Sequence, residues 1–313
     1  AAGLKTKAPE GYDSFEGNKM LTTLIKDGKQ EALHYLVFAK KVQQFTYSAD
    51  PWEAPVKKDS TNLVKLYRQS ESLRQQVKDP FLQKKYAFMQ CRIAFYAGNY
   101  PLCIKVVDTF FAENAMPGAA KAMAVGYKAG CLFKTSKNEE AAVWFARAFS
   151  MSPKDRQKNY MGFLWSTKNG GASIQPKIIA KGADNREKAF IAGLFAMHGL
   201  EYELDNMKKV YSLDPQCELL PLLVVREIEK LEEHYLSPKL GAQKGAGEIL
   251  FADNAAPERE HLDHAEKVLA FFEQLAADKS LPQNNLYTVG AAYIAYMTGN
   301  NEKAGQWAAD IYK

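Results

Sequence analysis

The residues best suited to chemistry in this chain are five histidines, His34, His198, His234, His261 and His264, and four cysteines, Cys91, Cys103, Cys131 and Cys217. Glu258, His261 and His264 follow one another at three-residue steps, with Asp263 beside the last. On a helix that spacing puts all three on one side, and Glu-x2-His is half of the ligand set by which four-helix carboxylate proteins hold two iron ions. The second copy and the two further glutamates of such a site are not found in the sequence. The residues therefore read as a solvated helix start, with acidic side chains near the positive end of the helix dipole. Glu232-Glu233-His234 reads likewise as a solvated face. Gly245-Ala246-Gly247 is a lone GxG with no strand before it and no third glycine, so it is not a dinucleotide fingerprint. GxxxxGK[ST], GxSxG and HExxH do not occur. None of the cysteines forms CxxC. Cys91 and Cys103 would face each other across one helical hairpin, either as small buried thiols or, in an oxidising compartment, as a disulfide. The expectation is a chain with no catalytic residues, no metal and no cofactor.

The elements that would carry these residues are helices. Hydrophobic residues make up 47% of the 313 positions and charged residues 25%, enough apolar content to fold most of the chain. β-Branched runs are scarce and apolar residues recur at helical spacing. The net charge of +5, from 41 basic and 36 acidic residues, is mild and dispersed, which argues against nucleic acid as partner. No apolar run reaches the length of a membrane span, and the first residues lack the apolar core of a signal peptide. Pro80 after Asp79 predicts a helix start, Asp59 a helix cap, and Gly98-Asn99-Tyr100 a turn between helices. Helices are further predicted over 30–44, 155–167, 186–198, 201–213 and 218–235. Residues 168–185 read as an irregular segment with a short apolar Ile178-Ile179, and Trp52 as the anchor of a loop over 46–60.

The stretch from Ala124 to Pro153 reads as two helices joined by a tight polar turn. Its second half runs Ala141, Phe145, Ala148, Pro153, and its first half Val125, Ala129, Leu132. Small residues let two helices cross closely, large neighbours fill the adjacent grooves, and proline ends the second helix. This resembles the tetratricopeptide repeat, W-x2-L-G-x2-Y…A-x3-F-x2-A-x4-P. The second-helix pattern recurs at Ala32, Ala265 and Ala304 and, with a larger residue in the small position, at Cys103 and Glu203. The first-helix tryptophan is absent and the spacing is uneven. The resemblance implies an all-α fold, an irregular α-solenoid of antiparallel helix hairpins. It divides the chain into a lead-in and first hairpin over 1–45, an array over 46–235, a Gly/Ala-rich loop over 236–258 and closing repeats over 259–313. No polar capping helix follows the last repeat, so the native chain is expected to continue, or a partner to cover that end.

The resemblance also implies a function: a scaffold, not an enzyme, whose first helices line a groove that binds a partner protein. The groove residues it points to are Tyr86, Met89 and Tyr96 in one unit, Met123, Phe133 and Lys134 in the next, and Tyr293 and Tyr296 in the last. An aromatic and methionine-rich lining suits an apolar partner segment. The same side chains, spaced as any helical stripe is, equally fit an interhelical core. The alternative function is a helical protein that binds glycans or small ligands by stacking on exposed aromatics. The motif set is similar to helical-repeat proteins of the bacterial cell envelope, which implies a periplasmic or outer-membrane-associated place within a larger assembly.

Overall fold

A computed structural model describes residues 18–46, 59–112, 118–199, 201–236 and 259–311. Trp52, Glu258 and all but the first residue of the Gly/Ala-rich stretch lie outside them. Among the described residues there are fifteen α-helices and no strand. They are α1 (Lys19–Lys26), α2 (Gln30–Gln43), α3 (Ser60–Gln76), α4 (Pro80–Tyr96), α5 (Tyr100–Phe110), α6 (Ala119–Lys134), α7 (Asn138–Met151), α8 (Arg156–Thr167), α9 (Gly171–Ala180), α10 (Asn185–Ala196), α11 (Leu204–Leu213), α12 (Leu220–Tyr235), α13 (Arg259–Ala277), α14 (Asn284–Met297) and α15 (Asn301–Ile311). The chain forms two compact units, one up to Asn169 and one from Gly170. The division falls inside the stretch 46–235, which the repeat pattern had read as one array.

Local chemistry sets the helix ends. Asp59, Asp79, Asn99 and Asp184 each accept a backbone N–H of the first turn, satisfying donors that a helix start leaves open. Gly98, between α4 and α5, has φ +78°, a left-handed conformation that costs glycine little.

In the amino-terminal unit each helix from α3 to α7 packs on the next. Next-but-one contacts join α2 to α4, α4 to α6 and α6 to α8. The small residues of the 124–153 stretch stand where the helices cross: Ala124, Ala129, Ala141 and Ala148 are fully buried. Gly162 of α8 lies against the Phe145 ring of α7, so close that a Cβ there would stand 2.4 Å from a ring carbon. Cys91, Cys103 and Cys131 come together in this core as free thiols from α4, α5 and α6. The neighbouring Cys131 and Cys91 thiols push the Cys103 thiol down, while burial pushes Cys91 up. Lys128 of α6 is buried too. Its ammonium pairs with Asp108 at 2.6 Å and lies 3.6 Å from the centre of the Trp144 ring.

In the carboxyl-terminal unit α12 contacts α10, α11, α13 and α14. Its core holds Ile191, Leu194, Met207, Leu220, Phe272 and Tyr287, all fully buried. The segment read as irregular over 168–185 contains the helix α9, which packs on α10. Pro176 lies inside it and removes one helix hydrogen bond, which is why local propensity hides the helix. Burial of Ile178 and Ile179 outweighs that loss.

Candidate functional site

The residues expected to face a groove separate into core and surface. Tyr86 is fully buried, its ring edge-on to Tyr35 at 5.2 Å and tilted against Phe38 at 5.7 Å. Met89 is buried in the same core. Neither offers surface to a partner, because α4 is packed by α2, α3, α5 and α6 and its stripe is consumed between them. Tyr96 and Met123 are half-buried and packed against that core. Tyr96 belongs to an aromatic group with Phe95, Tyr100 and Tyr127, and the Phe95 and Tyr127 rings are 5.2 Å apart. Gly130 admits the Phe95 ring, whose edge would lie 3.0 Å from a Cβ there. In the other unit Tyr293 is half-buried and its hydroxyl donates to Glu232, while Tyr296 is exposed at 59%.

At the end of α6 Lys134 is exposed and Phe133 half-buried. Phe133 lines an open depression of about 450 Å³ with Ser136, Asn138, Trp165, Lys168 and Asn169. Trp165 is the residue that sequence reasoning missed. Read only as part of an apolar helix, it is 57% exposed. Met161, one turn earlier on α8, is also exposed. The buried stripe of α8 is Asn159, Gly162, Phe163 and Ser166, mostly small or polar residues, so the hydrophobic pattern gave no sign that Met161 and Trp165 face outward.

The second candidate is a polar cluster in the carboxyl-terminal unit. Glu227 and Lys230 of α12 are 1% and 7% exposed, with Nζ donating to Oε2 at 3.0 Å. His264 of α13 meets the other carboxylate oxygen at 2.7 Å through Nε2. The Glu203 N–H points at both oxygens at 3.3 and 3.4 Å, and Lys230 also donates to the Glu201 carbonyl. Burial pushes the Glu227 carboxyl up, but His264 and Lys230 outweigh it and hold the group below the usual carboxylate range. Burial pushes the carboxyl of its neighbour Glu203 up.

Around this pair the rings are layered. Tyr202 stacks on His264 with centres 3.6 Å apart, and His234 stacks on His261 at the same distance. The Tyr202 hydroxyl lies 2.7 Å from His261 Nδ1 and joins the two stacks. Tyr202, Arg259, Glu260, Asp263, His264 and Lys267 line an open depression of about 500 Å³ beside them.

This corrects the reading of His261 and His264 as a solvated helix start and of His234 as part of a solvated face. All three are half-buried, because Tyr202 and Glu227, 59 and 37 residues away from their histidine partners, cover them. The sequence held one sign of it. Leu220, Leu223, Val224, Glu227, Lys230 and Leu231 form a single buried stripe, so a charged pair occupies core positions of α12. Such a pair holds two ordered charges in a helical core and fixes the ring stacks beside it. Among the described residues, no three His, Cys, Asp or Glu side chains converge as a metal would require.

Comparison with protein-family models, curated proteins and solved structures found no match for the chain. No helix among the described residues is long and apolar enough to cross a membrane.

Proposed function

We propose that the chain is a protein-interaction scaffold, an irregular tetratricopeptide-like α-solenoid that binds a partner segment and performs no chemistry. The observation that carries this reading is the depression between the ends of α6 and α8, where Trp165 stands exposed beside Phe133. Exposed tryptophan in a recess is the side chain most often found at the energetic centre of a protein interface. The next-but-one contacts along α2, α4, α6 and α8 support the repeat reading, since stacked hairpins produce that pattern. Ser136, Asn138, Lys168 and Asn169 give the recess a polar rim, as interfaces usually have. The placement at a bacterial envelope rests on the resemblance of the motifs.

A photo-crosslinking amino acid at position 133, introduced in the native host, will trap the partner for identification. Binding of the purified partner to Trp165→Ala should then weaken at least tenfold, with helicity and melting unchanged. Unchanged affinity would sink the proposal. The Asn138 and Asn169 amides beside the indole favour one second reading, a platform for sugar stacking. In that case an oligosaccharide array, rather than a protein, gives the binding that Trp165→Ala abolishes.

A further inference from the structure

We infer that Ser136 is a binding residue of the recess beside Trp165, kept in a strained turn so that its hydroxyl donates to an acidic side chain of the partner segment. The inference rests on the reading of that recess as an interface, and it names the chemistry of what enters.

The turn between α6 and α7 gives the first observation. The Ser136 N–H bonds to the Phe133 carbonyl at 3.1 Å, and the Lys137 N–H to the Leu132 carbonyl at 2.9 Å. The same pair of bonds closes the turns at Gly28, Gly98 and Gly299. The residue at this position has left-handed backbone, with φ of +64°, +78° and +84° at the three glycines and +60° at Ser136. Glycine suits the position because a Cβ there crowds the following carbonyl oxygen. Serine carries that strain and returns nothing to the fold, since its hydroxyl makes no hydrogen bond to another described residue. Its neighbour Thr135 does spend its hydroxyl, on the Cys131 and Leu132 carbonyls. A strained residue whose side chain the fold does not use points to a contact outside the fold.

The lining of the recess gives the second observation. Ser136 lines it with Phe133 and Trp165, and so do Asn138, Lys168 and Asn169. None of these four polar side chains is bonded to another described residue. Lys168 is the charged member of the lining, whereas Glu139 and Glu140, in the first turn of α7, are not part of it. The recess therefore offers two aromatic rings, a hydroxyl, two amides and a cation, with no carboxylate. All four polar groups can donate. The segment that complements them presents an apolar side chain to the rings and, next to it, the carboxylate of an Asp or Glu. A hydrogen bond from a hydroxyl to a carboxylate is roughly twice as strong as one to a neutral acceptor.

Fluorine NMR on the full chain tests this. 5-Fluorotryptophan labels Trp165, and Trp165→Phe assigns its signal. The probes are the peptide acetyl-Gly-Phe-Asp-Gly-amide, its Asn counterpart, and acetyl-Gly-Phe with a free carboxyl end. The Asp peptide should move the Trp165 signal to saturation, and the other two should need at least about fivefold more peptide. Ser136→Gly relieves the turn and Ser136→Ala keeps its strain, but both remove the hydroxyl. Each should weaken the Asp peptide by at least about fivefold. Ser136→Gly should meanwhile leave the urea midpoint of the amino-terminal unit at or above that of the wild type. Wild-type binding by either variant, a lower midpoint in Ser136→Gly, equal binding of the Asp and Asn peptides, tighter binding of the free carboxyl end, or no movement of Trp165 would each overturn the inference. The reading of the recess as an interface is judged separately, by the affinity of Trp165→Ala for the crosslinked partner.

Discussion

Glu227 is the side chain whose removal the carboxyl-terminal unit should tolerate least. It is almost wholly buried, and its two oxygens serve Lys230, His264 and a backbone N–H. A buried pair adds little net stability over an apolar substitute, but removing one member strands the other. Glu227→Ala leaves the Lys230 ammonium inside the core with only the Glu201 carbonyl. The expected cost is roughly 3–5 kcal/mol, read from the urea midpoint of the carboxyl-terminal unit. The pH dependence follows from the depressed carboxyl pKa. Stability contributed by the ionised group is complete above the unfolded value of 4.5 and is lost as pH falls through the lower folded value. The difference between wild type and Glu227→Gln should therefore shrink on acidification below about pH 4.5. A gap that widens there would contradict the ion pairing.

At the scale of elements, helix starts were the most legible feature. Asp59, Asp79 and Asn99 announce α3, α4 and α5, and all three cap them. Asp184 does the same for α10 in a reciprocal arrangement. It accepts the Glu187 N–H at 2.8 Å, and Glu187 reaches back to the Ala183 N–H. Asp184→Ala should cost about 1 kcal/mol without moving the helix, measured by chemical denaturation. The element that escaped notice is α9, for the opposite reason. Gly170, Gly171 and Pro176 give it poor local propensity, and its helical state comes from the buried Ile178 and Ile179. The candidate surface split in the same way. Phe133, to which the repeat resemblance points, lines the recess beside Trp165, whereas Tyr86 and Met89 lie on a helix closed in by four others.

At the scale of the whole molecule, the units meeting between Asn169 and Gly170 each have their own internal packing. Pieces ending at Asn169 and beginning at Gly170, expressed separately, should each show helical circular dichroism and a cooperative melt. The Glu227→Ala loss should appear only in the second piece. If either piece is unfolded alone, the division does not mark independent folding.

The sequence by itself determined that the chain is helical, where most helices begin, and which small residues let α6 and α7 cross. These are properties of neighbours within about one helical turn, written in period and caps. Only the tertiary structure decided that His234, His261 and His264 are gathered rather than solvated, that Tyr86 is core, and that Trp165 is not. Each depends on which distant helix covers a given face: Tyr202 and Glu227 reach His261 and His264 from 59 and 37 residues away. A single helical stripe cannot say whether its partner is another helix or water.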